Sequence, residues 1–498
     1  MICDLPGMFT KLIAKSTRHL KGLSFTIPRL FGVVLLVGSV CGPCFAYSVL
    51  THEEIVDLVW LDEIRPLLLQ RDPGLTDDQI KEAHAYAYGG AVIQDLGYYP
   101  FGSKEFSDLA HYVRTGDFVR ELLRESADVN EYAFALGALA HYSSDITGHP
   151  AVNQSVAIEY PKLRAKYGKS VTYAEDKTAH LKTEFGFDMV QVAKSRYAPQ
   201  QYHDFIGFQV SKPLLERTFP VVYGVEFKDV IAHEDLAIGS YRWAVSRLIP
   251  EMTKVALQTH QKDMMREQPD FAKRKFLYHL RRSDYEKEWG KDYTRPGIGA
   301  RILAVFFRVI PKIGPFKGLA FNNPTAQTED LYFKSINATV DQYREFLQAE
   351  RKHSLALANC DLDSGKVTKA GEYSLADMSY DKLLQRLSNK KFDGITPDLR
   401  QNLLDFYSAA TPPAGVTDIE TSKNGSGKTS VGKIGALGMD AKQGDAKETG
   451  KNRKSDSETV QTELAQLRAI EISVPSAPKL NGDSPKVLPA SGVCSFGQ

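Results

Sequence analysis

Strand signals are scarce in this chain. Stretches in which β-branched and polar residues alternate hardly occur, which argues against β-sandwich and α/β architectures. Cysteine is sparse too, at five in 498 residues. Three of these, Cys3, Cys41 and Cys44, precede position 47, so Cys360 and Cys494 can form at most one bridge and a disulfide framework is excluded. Charge of one sign is also missing, with 62 Lys and Arg against 61 Asp and Glu. That balance offers no reason to expect a nucleic-acid coat protein or a permanently polybasic membrane binder, so any partner has to be sought in local sites. What the chain does have is 43% apolar residues, enough for one large or two modest cores.

The start of the chain reads as a targeting segment. Lys11, Lys15, Arg18, Lys21 and Arg29 precede an apolar run over 30–40, and Phe45-Ala46 then offers a small residue at a cleavage point. The run is short against the roughly 20 residues of a membrane span. Residues 1–46 are therefore expected to be a signal peptide, cleaved to leave Tyr47 first and the protein periplasmic or extracellular. An uncleaved anchor, or a start upstream of a shorter signal, are the alternatives. Val40 and Pro43 precede Cys41 and Cys44, where a lipidated cysteine would want a small residue.

Beyond that segment the pattern is helical. Helices are expected near 51–59, from Asp77-Asp78 towards Gly89-Gly90, and over 117–124, 130–144, 173–196 and 229–260, separated by breaks such as Pro73-Gly74. Thr51 is a candidate cap for the first of them. Residues 47–265 thus read as an all-α, bundle-like domain. Residues 266–410 read as a helical extension, with helices expected at 327–356, 380–387 and 399–407. Within it, Arg301, Arg308 and Lys312 fall on one face of an apolar segment, 298–316. This segment suits peripheral contact with a bilayer, or equally a docked helix with solvated arginines. Residues 411–498 have too few apolar side chains to offset chain entropy and read as a disordered, low-complexity tail with a brief helix at 460–470. Asp361, Asp363 and Glu372 have part of a calcium-loop pattern, but Gly365 and Lys366 break it, and an ordinary turn is the better reading.

Two local patterns carry chemistry. His141 and Asp145 stand four apart, which places both on one helix face where they can grip one ion, and Gly148-His149-Pro150 allows His149 to turn towards that ion or a neighbour. His180 and Glu184 form a second such pair. Taken singly, either pair is an ordinary surface hydrogen bond. They share their stretch, however, with His111 and with Asp95, whose carboxylate follows the apolar Ala91-Val92-Ile93 and would be costly to bury without a cation. His52 lies five residues after Tyr47, whose freed amine is a further potential ligand. His84 and Asp108 are close enough in sequence to orient imidazoles, or to make ordinary hydrogen bonds. Tyr98, Tyr99, Phe101 and Tyr142 would line a cleft or pack around it.

In the order, type and approximate spacing of these residues, 47–200 resembles the zinc-dependent phospholipase C family, which is related to the S1/P1-type nucleases. The resemblance implies an all-α fold of that type with two or three Zn2+ ions in a cleft. Asp95, His111, His141 and Asp145 would ligate one ion, and His149, His180 and Glu184 a second. Tyr47, through its main-chain amine and carbonyl, would hold a third with His52 and a bridging Asp145. The chain departs from the family in having Tyr47 where members have tryptophan, and in a shorter gap between Asp145 and His149. The resemblance also implies hydrolysis of phosphodiester bonds, with Asp95 orienting or deprotonating the attacking water. A phospholipase C releasing a phosphorylated headgroup and diacylglycerol is expected first. The alternatives are a nuclease or other phosphodiesterase on the same metals, and a non-enzymatic envelope or membrane binding protein with structural zinc. No obligate protein partner is expected.

Overall fold

The computed structural model describes residues 49–99, 101–193, 208–243, 322–408 and 449–470. Among these residues the regular structure is 15 α-helices, a π-helical and a 3-10 turn, and one sheet of two short strands. Helix α1 (Val49–Val59) passes through a π-helical turn, Trp60–Ile64, into α2 (Arg65–Arg71). Helix α3 (Asp77–Ala91) follows, opened by a capping box in which Thr76 and Gln79 satisfy each other's backbone N–H groups. A 3-10 turn, Ile93–Tyr98, leads to α4 (Lys104–Tyr112), α5 (Thr115–Glu125) and α6 (Val129–Glu159). Next come α7 (Pro161–Tyr167), α8 (Lys177–Ala193), α9 (Lys212–Tyr223), α10 (Phe227–Val230) and α11 (Glu234–Trp243). After α12 (Ala326–Arg351), strands β1 (Cys360–Asp361) and β2 (Lys366–Val367) pair antiparallel, followed by α13 (Ser374–Asn389), α14 (Pro397–Ser408) and α15 (Thr449–Ala469).

Helix α6 is the axis of the fold. It is buried on every side over most of its length, the condition of a helix apolar all round. Helix α3 approaches it through two reciprocal glycines. A Cβ on Gly90 would lie 1.9 Å from the Phe134 carbonyl oxygen, and one on Gly137 would lie 2.0 Å from that of Ala87. Only bare Cα atoms permit this spacing, and it brings the end of α3 against the middle of α6, where the histidines stand.

The region after 321 shares this core. Tyr343 on α12 donates to the Leu136 carbonyl of α6 at 2.8 Å, and Ser143 on α6 donates back to the Thr339 carbonyl at 3.3 Å. Tyr332 stacks on Phe187 of α8 at 4.6 Å and shares a 2.7 Å hydrogen bond with Thr51. Leu464 and Leu467 of α15 are buried in the same apolar cluster.

The all-α architecture is as expected, and several boundaries differ. Helix α6 does not stop near 144 but runs through Pro150 to Glu159. Proline there leaves the Ile146 carbonyl without its helical donor, and the chain around Gly365 packs on that carbonyl. Thr51 is not a cap: α1 has begun by Val49, and the Thr51 hydroxyl donates instead to Asp188 at 2.7 Å. The segment expected as one helix from 229 is broken between Val230 and Glu234. The helix expected at 460–470 spans Thr449–Ala469. The apparent calcium loop is a turn: Asp361 accepts from the backbone of Asp363 and Ser364, and Glu372 is exposed. Cys360 is disulfide-bonded and is the one cysteine among the described residues. No helix among the described residues is long and apolar enough to cross a membrane. The signal segment with Tyr47, and 298–316, lie outside the described residues.

Candidate metal centre

Four helices and the 3-10 turn deliver eight side chains to one buried region. His52 comes from α1, Asp95 from the 3-10 turn, His111 from α4, His141, Asp145 and His149 from α6, and His180 and Glu184 from α8. None of the eight is more than 2% exposed. Asp145 stands at the centre. Its Oδ2 is 3.0 Å from His141 Nε2 and 3.5 Å from His111 Nε2, and its Oδ1 is 3.5 Å from His52 Nε2 and 3.6 Å from His149 Nε2. Around it the ligand atoms fall into three groups: Asp95, His111 and His141; His52, His141 and Asp145; and His149, His180 and Glu184. Within the third, His180 Nε2 is 2.8 Å and His149 Nε2 3.5 Å from Glu184 Oε1.

Main-chain carbonyls decide what the imidazoles present. Nδ1 of His141 lies 2.9 Å from the Ala91 carbonyl, that of His111 2.8 Å from Ser107, and that of His149 2.9 Å from Leu362. A carbonyl only accepts, so each Nδ1 is the protonated nitrogen and each Nε2 turns a lone pair inward. His111 Nε2 and His141 Nε2 then face one another at 3.4 Å. Neither oxygen of Asp145 nor Oδ1 of Asp95 is aligned to accept a hydrogen bond, although all three are fully buried. Lone pairs and carboxylate oxygens converging in a dry interior are stabilised by positive charge, either protons on the imidazoles or metal ions. Nitrogen and oxygen donors in groups of three suit zinc, so the donor set fits the metal.

Electrostatics without metal lead the same way. Burial raises the Asp145 carboxyl, but His141, His149 and His52 prevail and hold it far below the usual carboxylate range. Burial works against a proton on His111, yet Asp95, Asp145 and Asp363 outweigh it and raise His111 to about 9. His141 is raised for the same reason, against burial, by Asp145 and Asp95. Burial lowers His180 to about 4, and it lowers His52 together with the neighbouring His141.

Two residues near the ligands in sequence face elsewhere. His84 stacks on Trp60 at 3.6 Å with Nε2 2.9 Å from Asp57, and Asp108 is held by Lys104. Of the aromatics, Tyr142 is buried and donates to the Ala358 carbonyl, and Tyr99 packs edge-on against Tyr241. The Tyr98 ring is 5.9 Å from that of His111, and Phe101 is exposed. The carbonyls of Ala91, Ser107 and Leu362, and the carboxylate of Asp363, have no part in the sequence reading. Asp363 alone had a signal, as one acid of the apparent calcium loop.

Fold and site together define an all-helical protein with buried groups of His, Asp and Glu side chains that could hold metal ions. Residues 51–232 match the family model of zinc dependent phospholipase C. The eight side chains all lie within the matched stretch. No curated protein and no solved structure matches the chain.

Proposed function

We propose that the protein is a phospholipase C, hydrolysing the phosphodiester of a phospholipid to a phosphorylated headgroup and diacylglycerol. The observation that carries this reading is Asp145, a single buried carboxylate within 3.6 Å of Nε2 on four histidines. Asp145 with these histidines would hold metal ions, which would supply charge stabilisation for hydrolysis of a phosphate diester. Zinc bound there supplies Lewis acidity towards the phosphate oxygens and lowers the pKa of a coordinated water. Asp95, whose Oδ1 lies 3.3 Å from His111 Nε2, orients the attacking water and takes its proton. The water oxygen bonds to phosphorus in line with the bond to the glycerol oxygen; that bond breaks, and the proton taken by Asp95 passes through solvent to the departing oxygen, which leaves as the alcohol and restores the carboxylate. His141 and His111, held by their carbonyls, keep the ligand lone pairs fixed while charge moves to the leaving oxygen.

In this reading the chain is exported, cleavage after Ala46 frees the Tyr47 amine to join His52 in holding a third ion, and 298–316 rests on the lipid surface. The test is incubation of the zinc-loaded protein with phosphatidylcholine and phosphatidylethanolamine micelles and, separately, with single-stranded DNA. Release of phosphorylated headgroup together with diacylglycerol is expected. Turnover of DNA alone would move the activity to a nuclease, and no turnover of any phosphodiester would refute the enzyme. N-terminal sequencing of exported protein checks Tyr47.

A further inference from the structure

The stretch that matches the family ends at 232, yet one imidazole of the centre is fixed by residues far beyond it. The Leu362 carbonyl accepts from His149 Nδ1 at 2.9 Å, and Asp363 Oδ1 lies 3.6 Å from the same nitrogen. Asp363 is 3% exposed, and its other oxygen accepts from the hydroxyls of Tyr112 at 2.8 Å and Tyr373 at 2.5 Å. A carboxylate held by two phenols is fixed in place with its remaining oxygen turned to His149. His180, in the same ligand group, has no hydrogen-bond partner at Nδ1. Within that group, Leu362 and Asp363 make their close contacts with His149, and the Asp363 charge reaches His180 only at longer range.

The hairpin of β1 and β2 is built to sit there. Gly365, at φ +68°, would carry a Cβ 2.2 Å from the Ile146 carbonyl oxygen, so only glycine lets the turn rest on α6 between Asp145 and His149. That carbonyl is the one Pro150 deprives of its helical donor. Asn153 on α6 donates to the Asp363 carbonyl at 2.9 Å, and the Leu362 N–H donates to the His111 carbonyl at 3.0 Å. The turn thus ties together the two helices that carry His111 and His149.

We propose that this hairpin is part of the metal centre, with Asp363 as the positioning residue that sets His149 for the ion held by His149, His180 and Glu184. The inference rests on the reading of the site as a zinc centre. An anion beside Nδ1–H makes Nε2 a stronger donor and holds the ring in one orientation, and partners of this kind typically contribute 10- to 100-fold to metal affinity. It also makes the region after 321 a requirement for a complete centre.

The test is a zinc titration of the full chain against a chromophoric chelator, with Asp363→Asn and Tyr373→Phe beside wild type and the unfolding midpoint of each metal-free form measured. Asp363→Asn removes the charge at nearly constant shape and is expected to weaken one class of zinc by about 10- to 100-fold while the other classes lose much less. Tyr373→Phe keeps the charge but removes one donor, and weakens the same class by less. If Asp363→Asn does not fold, the result for Tyr373→Phe decides. Zinc binding unchanged in every folded variant would overturn the proposal, as would a loss spread equally over all classes. Zinc binding without hydrolysis in wild type would end the phospholipase reading and leave the role of Asp363 standing; wild type that binds no zinc would end both.

Discussion

Replacing Asp145 by asparagine should remove most of the zinc while leaving the helices in place. The carboxylate lies 3.0 to 3.6 Å from four imidazole Nε2 atoms and is completely buried, so solvent screens it little. At such separations an effective dielectric of about 20 puts ~5 kcal/mol on each pair of unit charges. At ~1.4 kcal/mol per decade that is ~3.5 powers of ten in affinity. The asparagine oxygen can still ligate as a neutral donor, so a loss of about 100- to 1000-fold is the reasonable range. The groups of His52 with His141 and of His111 with Asp95 both depend on this bridge. His149, His180 and Glu184 keep three ligands of their own. Elemental analysis after dialysis against buffered nanomolar zinc should find more than one zinc per chain in wild type and about one in Asp145→Asn, with far-UV dichroism unchanged. One zinc or less in wild type, with the same content in the variant, would refute the reasoning.

Acidification should empty the centre in order. His111 stands at about 9 in the metal-free fold, above the 6.5 of a free imidazole. Its protonated form therefore stabilises the metal-free protein fully below about 6.5, and this contribution fades as pH rises through about 9. Zinc needs the same proton removed, so the Asp95 and His111 group should weaken by up to about tenfold per pH unit below 9. His180, at about 4, is already neutral at pH 6, and the ion on its group should leave last. Stepwise release monitored with a metal indicator checks this, and simultaneous or reversed release contradicts it. Gly365→Ala meets both a positive φ and the Ile146 carbonyl and should cost about 3 kcal/mol or more in denaturant unfolding. Asp95→Asn, assayed with zinc in excess, should lower kcat by about 100-fold or more, while an equal kcat would remove its role with the attacking water.

What the sequence made legible was local. The pairs His141 with Asp145 and His180 with Glu184 stand 3.0 and 2.8 Å apart because four residues return a helix to the same face. Helical character followed from apolar periodicity. The carbonyls that orient His111, His141 and His149 were not legible, since main-chain acceptors have no residue signature. Two of them, Ala91 and Leu362, also depend on tertiary contacts across 50 and 213 residues. Pro150 suggested a helix end because its cost is local, whereas the turn that packs on the freed Ile146 carbonyl comes more than two hundred residues later. The acids at 361 and 363 resembled a calcium loop, and Asp363 turned out to face an imidazole. His84 lay near ligands along the chain but sits on the side of α3 that meets Trp60 and Asp57.

The most direct test of the central claim is an anomalous difference map at the zinc absorption edge from crystals of the purified protein. The account predicts separate peaks about 2 Å from the ligand nitrogens and oxygens, one among Asp95, His111, His141 and Asp145 and another among His149, His180 and Glu184, with a third beside His52. A map with no peak within reach of Asp145 would contradict it.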